Sequence, residues 1–413
     1  MKSIPFNTWV VLMCLAGSDL RIPAQTGTLA PQAPGVSQLG NTSQTGQPKQ
    51  KAPAKTAEDA PPADDPEDQI PVVKLEFKPA EAVPGVSGTS AFTLPVVCSA
   101  DGVPYVSFLD AKSGDVQSVT SLDPKGSHSF STQQIQGLYG ISSILGVFVT
   151  DSMVGLRITA TKDPTKSPQT VDAGGGTPPK DVYTGKRHFF LAKFDLSGNF
   201  IEAVELPEDL FIWRMAALPD GSLLVLGYDL LNARPHLVIL DSGGERKRDL
   251  QIPAMMDENP MFSEASSGDW KKRNQAMSTL SSWQFASARQ RVLLFQAHST
   301  APILEVGAGG AVREVTIEHP KDYGIDSVLP SNDRWLISFR KDKLTNAEAI
   351  NTDPKTKNFV LYEVDPADGS LRRQIEIPEE IFYTSVSCEK DGTITAFTID
   401  DGKINLFSAD LGR

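Results

Sequence analysis

Three features of the sequence predict an all-β fold. Beyond Ile70, short apolar runs rich in β-branched and aromatic residues alternate with tight turns, and helical periodicity is almost absent. A strand–turn–strand, strand–turn–strand order recurs every roughly 40–60 residues, the spacing of four-stranded propeller units. The runs Leu223–Leu226 and Val292–Phe295 are apolar on both strand faces, as suits inner strands covered on both sides by neighbouring sheets. Together these observations predict a six-bladed β-propeller over 71–413.

The elements ahead of the ring come first. Residues 1–24 have the layout of an export signal: Lys2 supplies a positive start, Trp9–Ala16 is a short apolar core, and Ala16 or Ala24 could precede cleavage. The competing reading is a buried N-terminal strand. Cys14 suggests a lipoprotein box, but Met13 stands where a small residue is needed, so no lipid anchor is expected. Residues 25–70 contain no aromatic residue and end in the acidic stretch Glu58–Asp68. Such a segment buries too little apolar surface to offset its chain entropy and is expected to be a disordered tether.

The clearest unit spans 211–253: strand a FIWRMAAL, turn PDG, strand b SLLVLGYD, strand c PHLVILD, turn SGGE, strand d RDLQIP. In the turn, Pro219 pre-sets a dihedral, Asp220 can hydrogen-bond locally, and Gly221 takes a conformation that side chains resist. The same order recurs at 281–317, 325–378 and 381–413, more loosely at 138–207, and least regularly near 91–135. The a–b turns fall near 101, 144, 220, 290, 333 and 391, which gives six units. A seventh blade within 110–140 is the alternative. The last unit stops where its strand d should begin, and Val72–Phe77 (VVKLEF), followed by Lys78-Pro79, is the expected donor. Paired beside the last strand c, it would close the ring and remove exposed sheet edges.

With its PDG and D-x-x-G turns, the chain over 71–413 resembles the bacterial six-bladed β-propeller proteins, the group that includes NHL-like and TolB-like propellers. The resemblance implies binding of a ligand, peptide or envelope partner, with hydrolases and lyases as a minority. Such turns specify fold far better than activity.

In a propeller, the b–c and d–a connections share one face. The long insertions Thr161–Arg187, Ala254–Leu280 and Lys341–Lys357 are all of those two kinds, so all project from that face. Strand a lines the channel and begins there. Counting seven residues back from the a–b turns gives Trp213, Trp283, Asp326 and Thr384, and with Arg214 these form an expected ligand-binding rim. The plainer reading has both tryptophans packing between blades.

Catalytic residues are not identifiable. His128, His188, His236, His298 and His319 are scattered without metal-ligand spacing, so neither metal nor cofactor is expected. Asp365–Gly369 lacks a calcium-loop spacing and reads as a turn. In Ala173–Lys180, Lys180 follows two prolines where a phosphate loop has a glycine, and it leads into no helix; no G-x-S-x-G motif is present. Cys98 and Cys388 both lie three residues before an a–b turn, in the first and last blades, which ring closure makes neighbours. In an exported chain they are a candidate disulfide, against the plainer reading of two small buried thiols.

The formal net charge of −12 argues against nucleic acid as a partner, and no apolar run downstream is long enough to span a membrane. The expectation is an exported, periplasmic or extracellular, monomeric module that binds or scaffolds an unknown protein, peptide or glycan. A propeller hydrolase or lyase with a site at the channel mouth is the alternative.

Overall fold

The computed structural model describes residues 70–79, 96–109, 115–141, 143–163, 188–229, 232–265, 270–288, 290–331, 333–342, 344, 357–378, 381, 386–400 and 403–412. The export signal and nearly all of the tether expected over 1–24 and 25–70 lie outside them. The described residues form six sheets arranged as a six-bladed β-propeller.

Blade 1 consists of Val97–Cys98, Pro104–Leu109, Val116–Ser121 and Ser129–Ser131, strands a to d in chain order. Blade 2 consists of Ile144–Val149, Met153–Thr159, Phe189–Asp195 and Phe200–Glu205. Blade 3 consists of Leu210–Ala217, Leu223–Asp229, Arg234–Leu240 and Arg246–Leu250. Blade 4 consists of Trp283–Ala288, Arg291–Gln296, Ile303–Gly307 and Val312–Val315. Blade 5 consists of Tyr323–Pro330, Trp335–Lys341, Phe359–Val364 and Leu371–Glu376. Blade 6 supplies Val386–Lys390, Thr393–Asp400 and Lys403–Asp410. The strands a touch in sequence around the ring, and that of blade 6 meets that of blade 1.

The region 110–140 supplies strands c and d of blade 1, so no seventh sheet exists among the described residues. The a–b turn expected near 144 in blade 2 lies instead at Thr150–Met153, because Ile144 opens strand a. That turn contains no glycine. The Thr150 hydroxyl accepts from the Ser152 and Met153 amides in its place.

Ring closure departs from the expected register. Val72–Lys74 runs parallel to strand d of blade 5 as a fifth strand, opposite Gln374–Glu376, and only Lys78–Pro79 pairs antiparallel with strand c of blade 6 at Ser408 and Phe407. The alternation of VVKLEF explains the docking. Leu75 is buried and Val73 and Phe77 are half-buried against a core shared by blades 5 and 6, while Lys74 points out to Glu376. One segment thereby covers the edges of two sheets.

The seam between the last and first blades is held by a Cys98–Cys388 disulfide, with Cα atoms 5.7 Å apart. A shared core of Val106, Leu122, Phe397, Ile404 and Leu406 backs it, and Lys390 Nζ lies 2.9 Å from Asp101 Oδ1 across the same joint.

Turn residues also join blades. Asp220 accepts from Ser222 through Oδ1 and reaches the c–d turn of blade 4 through Oδ2, which accepts from the Gly309 amide at 3.1 Å. These bonds hold its carboxyl below the usual range, the Ser222 hydroxyl contributing most. Gly369, at φ +79°, sits against the Thr316 backbone of blade 4, where a Cβ would collide.

The insertion Ala254–Leu280 is helical, contrary to the expectation of a strand-and-turn chain. Short helices span Ala254–Asp257, Pro260–Ala265 and Trp270–Thr279. Met256, Phe262, Ala276, Met277 and Leu280 pack into the core between blades 3 and 4, so packing rather than helix propensity holds the segment. Most of the other two long insertions lies outside the described residues. Among the described residues, no helix is long and apolar enough to cross a membrane.

Candidate functional site

Every strand a enters from the insertion face, and in blades 2, 3, 5 and 6 it bulges soon after entry. The extra residues are Leu145, Trp213, Asp326 and Ser387. A bulge sets two residues against one, interrupts the ladder and re-aims side chains. The inner strands are therefore irregular at the channel mouth and regular toward the a–b turns.

Two arginines exploit the bulges. Arg157, on strand b of blade 2, lies opposite Gly146, where a Cβ would crowd its guanidinium. It crosses strand a and donates to the carbonyls of Leu145 in its own blade and Ile212 in blade 3. Its guanidinium lies 6.0 Å from the Phe189 ring centroid. Arg214 repeats the pattern one blade on, with Nε donating to the Trp283 carbonyl at 3.2 Å and Nη2 to the Ser281 carbonyl at 3.3 Å. Burial lowers the Arg157 pKa to about 9, helped by the nearby Arg214 charge, and lowers that of Arg214 to about 10.

The structure brings three of the expected rim residues together. Trp213, Arg214 and Trp283 meet at the seam of blades 3 and 4. The two tryptophans are not equivalent, however. Trp213 is the half-buried bulge residue, tilted on Phe211 with ring centroids 5.6 Å apart, and its Nε1 is buried without a partner. Trp283 is the first residue of its strand, paired with Gln296 and 3% exposed among Met256, Met277 and Leu280. Blade 4 has no bulge, so counting back from the turn shifts its register by one residue. Trp283 nonetheless borders a cavity of about 220 Å³ on the insertion face, with Pro253, Met255, Pro302, Leu304 and Glu314.

Asp326 stands apart from these three, in blade 5. Its Oδ1 lies 3.6 Å from His298 Nδ1, and Arg340 interacts with both groups. Burial raises the Asp326 pKa to about 6, against the pull of Arg340. Burial, reinforced by Arg340, lowers that of His298 to about 4. The His298 side chain is 36% exposed, so water screens part of this effect. His298 holds a left-handed backbone at φ 59° while its amide bonds the Ile325 carbonyl. Such strain in a non-glycine residue marks a position fixed by its surroundings. Thr384 lies outside the described residues.

Sequence reading missed Arg157, His298 and Arg340, which only the fold assembles. It also missed His188, Glu205 and Glu208, whose donor atoms lie within 4.8 Å of one another at the outer edge of blade 2. There Lys162 Nζ already sits 2.6 Å from Glu205 Oε2, and that hydrogen bond is the main cause holding the Glu205 carboxyl below its usual range. One of the carboxylates a metal cation would need is thus already neutralised by an ammonium.

No protein-family model matches the chain, and no curated protein matches it. Among solved structures it is similar to a Bacteroides caccae protein of unknown function, at 10% identity, TM-score 0.36, over 68% of this chain and 80% of the other. It is also similar to the β-propeller domain of the Trilobed protease from Pyrococcus furiosus, at 10% identity, TM-score 0.34, over 78% and 82% of the two chains. A third is the fucose-recognising, six-bladed lectin of the fungus Aleuria aurantia, at 9% identity, TM-score 0.32, over 68% and 78%. The propeller assignment itself rests on this chain's own strand order and on the contacts that close its ring.

Proposed function

We propose that the protein is an exported binding or scaffolding module, in which an export signal over 1–24 and a tether over 25–70 precede a propeller over 71–413. The ligand, a protein, peptide or glycan, sits on the insertion face around Trp213, Arg214, Trp283 and Asp326. One observation carries the reading: the helical insertion walls a cavity at the same end of the molecule where the inner strands bulge and present polar groups. The disulfide supports an oxidising, periplasmic or extracellular location. Kinship with the NHL-like and TolB-like bacterial propellers is part of the same proposal.

The test is a thermal-shift panel of neutral oligosaccharides and peptides on the mature chain, repeated with Trp213→Ala and Met255→Asp. The expected result is a saturable upward shift that both substitutions weaken. A shift that survives both would remove the ligand from this face. A second reading, a hydrolase or lyase at the channel mouth, is favoured by His298, Asp326 and Arg340. Product formation that Asp326→Asn abolishes while ligand binding persists would select it.

A further inference from the structure

Buried cations in this molecule come with carboxylates. Lys193 Nζ lies 2.7 Å from Glu202 Oε1. Arg334 is bonded to Asp333 and lies 3.6 Å from Glu363. Half-buried Arg373 and Arg291 pair with Glu363 and Glu305. Arg157 breaks this pattern. It is 6% exposed, and among the described residues neither it nor Arg214 has an acidic partner. Their hydrogen bonds go to neutral carbonyls, which satisfy geometry but leave both charges uncompensated.

A buried charge beside a half-buried one of the same sign is costly unless an anion joins them. The chain has 51 acidic residues against 39 basic ones, so counter-ions are plentiful elsewhere. The groups left over on either side of blade 3 are all donors. Arg157 Nε and Trp213 Nε1 are buried with no acceptor, and Arg214 Nη1 makes no bond among the described residues. None of the three can accept a proton from a ligand hydroxyl, so the site is matched to an acceptor carrying negative charge. Burial lowers the pKa of both guanidiniums, with the Arg214 charge adding to the effect on Arg157.

We propose that the channel mouth at blade 3, where Arg157 arrives from blade 2 and Arg214 leaves toward blade 4, binds an oxyanion (a sulfate, phosphate or carboxylate group) through Arg157 and Arg214, with Trp213 as the adjoining donor. The inference rests on the insertion-face reading above and narrows it to an anionic ligand. A free inorganic ion and an acidic group on a larger ligand share this chemistry.

Isothermal titration of the mature protein with sodium sulfate, sodium phosphate, acetate and glucuronate, against sodium chloride at matched ionic strength, tests it. Saturable binding of at least one oxyanion is expected, weakened roughly tenfold or more by Arg214→Gln, the loss of one charge-assisted contact. Tighter binding of glucuronate than of acetate would assign the anion to an acidic sugar, and the reverse order to a free ion. Arg157→Met also removes two inter-strand bonds and can unfold the ring, so Arg214→Gln with a matched far-ultraviolet spectrum decides. Absence of saturable binding, or binding that Arg214→Gln leaves unchanged, overturns the proposal. If a neutral ligand still binds and Trp213→Ala weakens it, the insertion-face reading survives that loss. If neither kind of ligand binds, both fall.

Discussion

Replacing Cys98 and Cys388 together with alanine asks how much of the ring's stability comes from the covalent link between its ends. The two residues are separated by 290 positions. In the chain-entropy treatment, a cross-link over a loop of that length removes about 19 cal/mol/K from the unfolded ensemble, or about 5–6 kcal/mol at room temperature. Two corrections act in opposite directions. Residual structure in the unfolded chain lowers the figure, whereas the small void left where the 1%-exposed Cys388 loses its sulfur adds about 1 kcal/mol. The expected loss is about 3–6 kcal/mol. Guanidinium unfolding of wild type and double variant measures it, and a second signature should accompany the lower midpoint. The variant's m-value should rise, because its unfolded chain expands further without the link. A loss below about 1 kcal/mol with an unchanged m-value would refute the reasoning. So would rapid alkylation of Cys98 and Cys388 in the native, unreduced protein.

Three further outcomes are expected. Gly221→Ala has open space around it and should cost about 1–2 kcal/mol from its positive φ alone, whereas Gly369→Ala also meets the Thr316 backbone and should cost about 3 kcal/mol or more; equal losses by denaturant titration would contradict the docking role of the c–d turn. Asp220→Ala should lower stability by about 1 kcal/mol near neutral pH; because its folded pKa is depressed, the wild-type advantage should vanish as pH falls through the carboxylate range, and an advantage that persists in acid would argue against the bonds that Ser222 and Gly309 donate to the charged carboxylate. Asp326 has a raised folded pKa, so the stability it contributes is full below its unfolded value and is lost as pH rises through about 6. Asp326→Asn should therefore gain more in Tm relative to wild type at about pH 7.5 than at about pH 4.5, and the opposite order would show the carboxylate to be stabilised in its charged form.

The architecture was legible because the features that specify it are local. The PDG turn at 219–221 and the two-sided apolar run Leu223–Leu226 each have a single physical cause within a few residues. The neighbourhood of Cys98 and Cys388 followed from ring closure alone. The site was less legible because it depends on register. A bulge adds one residue, so counting back from the turn reaches the bulge residue in blades 3 and 5, at Trp213 and Asp326, but an ordinary strand residue in blade 4, at Trp283. Arg157 looks like any strand arginine until Gly146 gives it a path to the next blade. The helices of 254–279 were hidden because their apolar residues, among them Met256, Phe262 and Met277, answer to a non-local core. VVKLEF was matched to the wrong sheet edge because its alternation suits either neighbour. The parallel pairing with Gln374–Glu376 is decided by where Leu75 finds its pocket.

The central claim is that function resides on the insertion face, at the bulged ends of the inner strands. Hydrogen–deuterium exchange of the mature protein with and without saturating sulfate tests it most directly. The account predicts added protection at 144–146, 210–214 and 281–284, with the short turns 218–222 and 308–311 unchanged. Protection confined to those short turns would contradict it, whereas protection nowhere in the ring would overturn the oxyanion site alone.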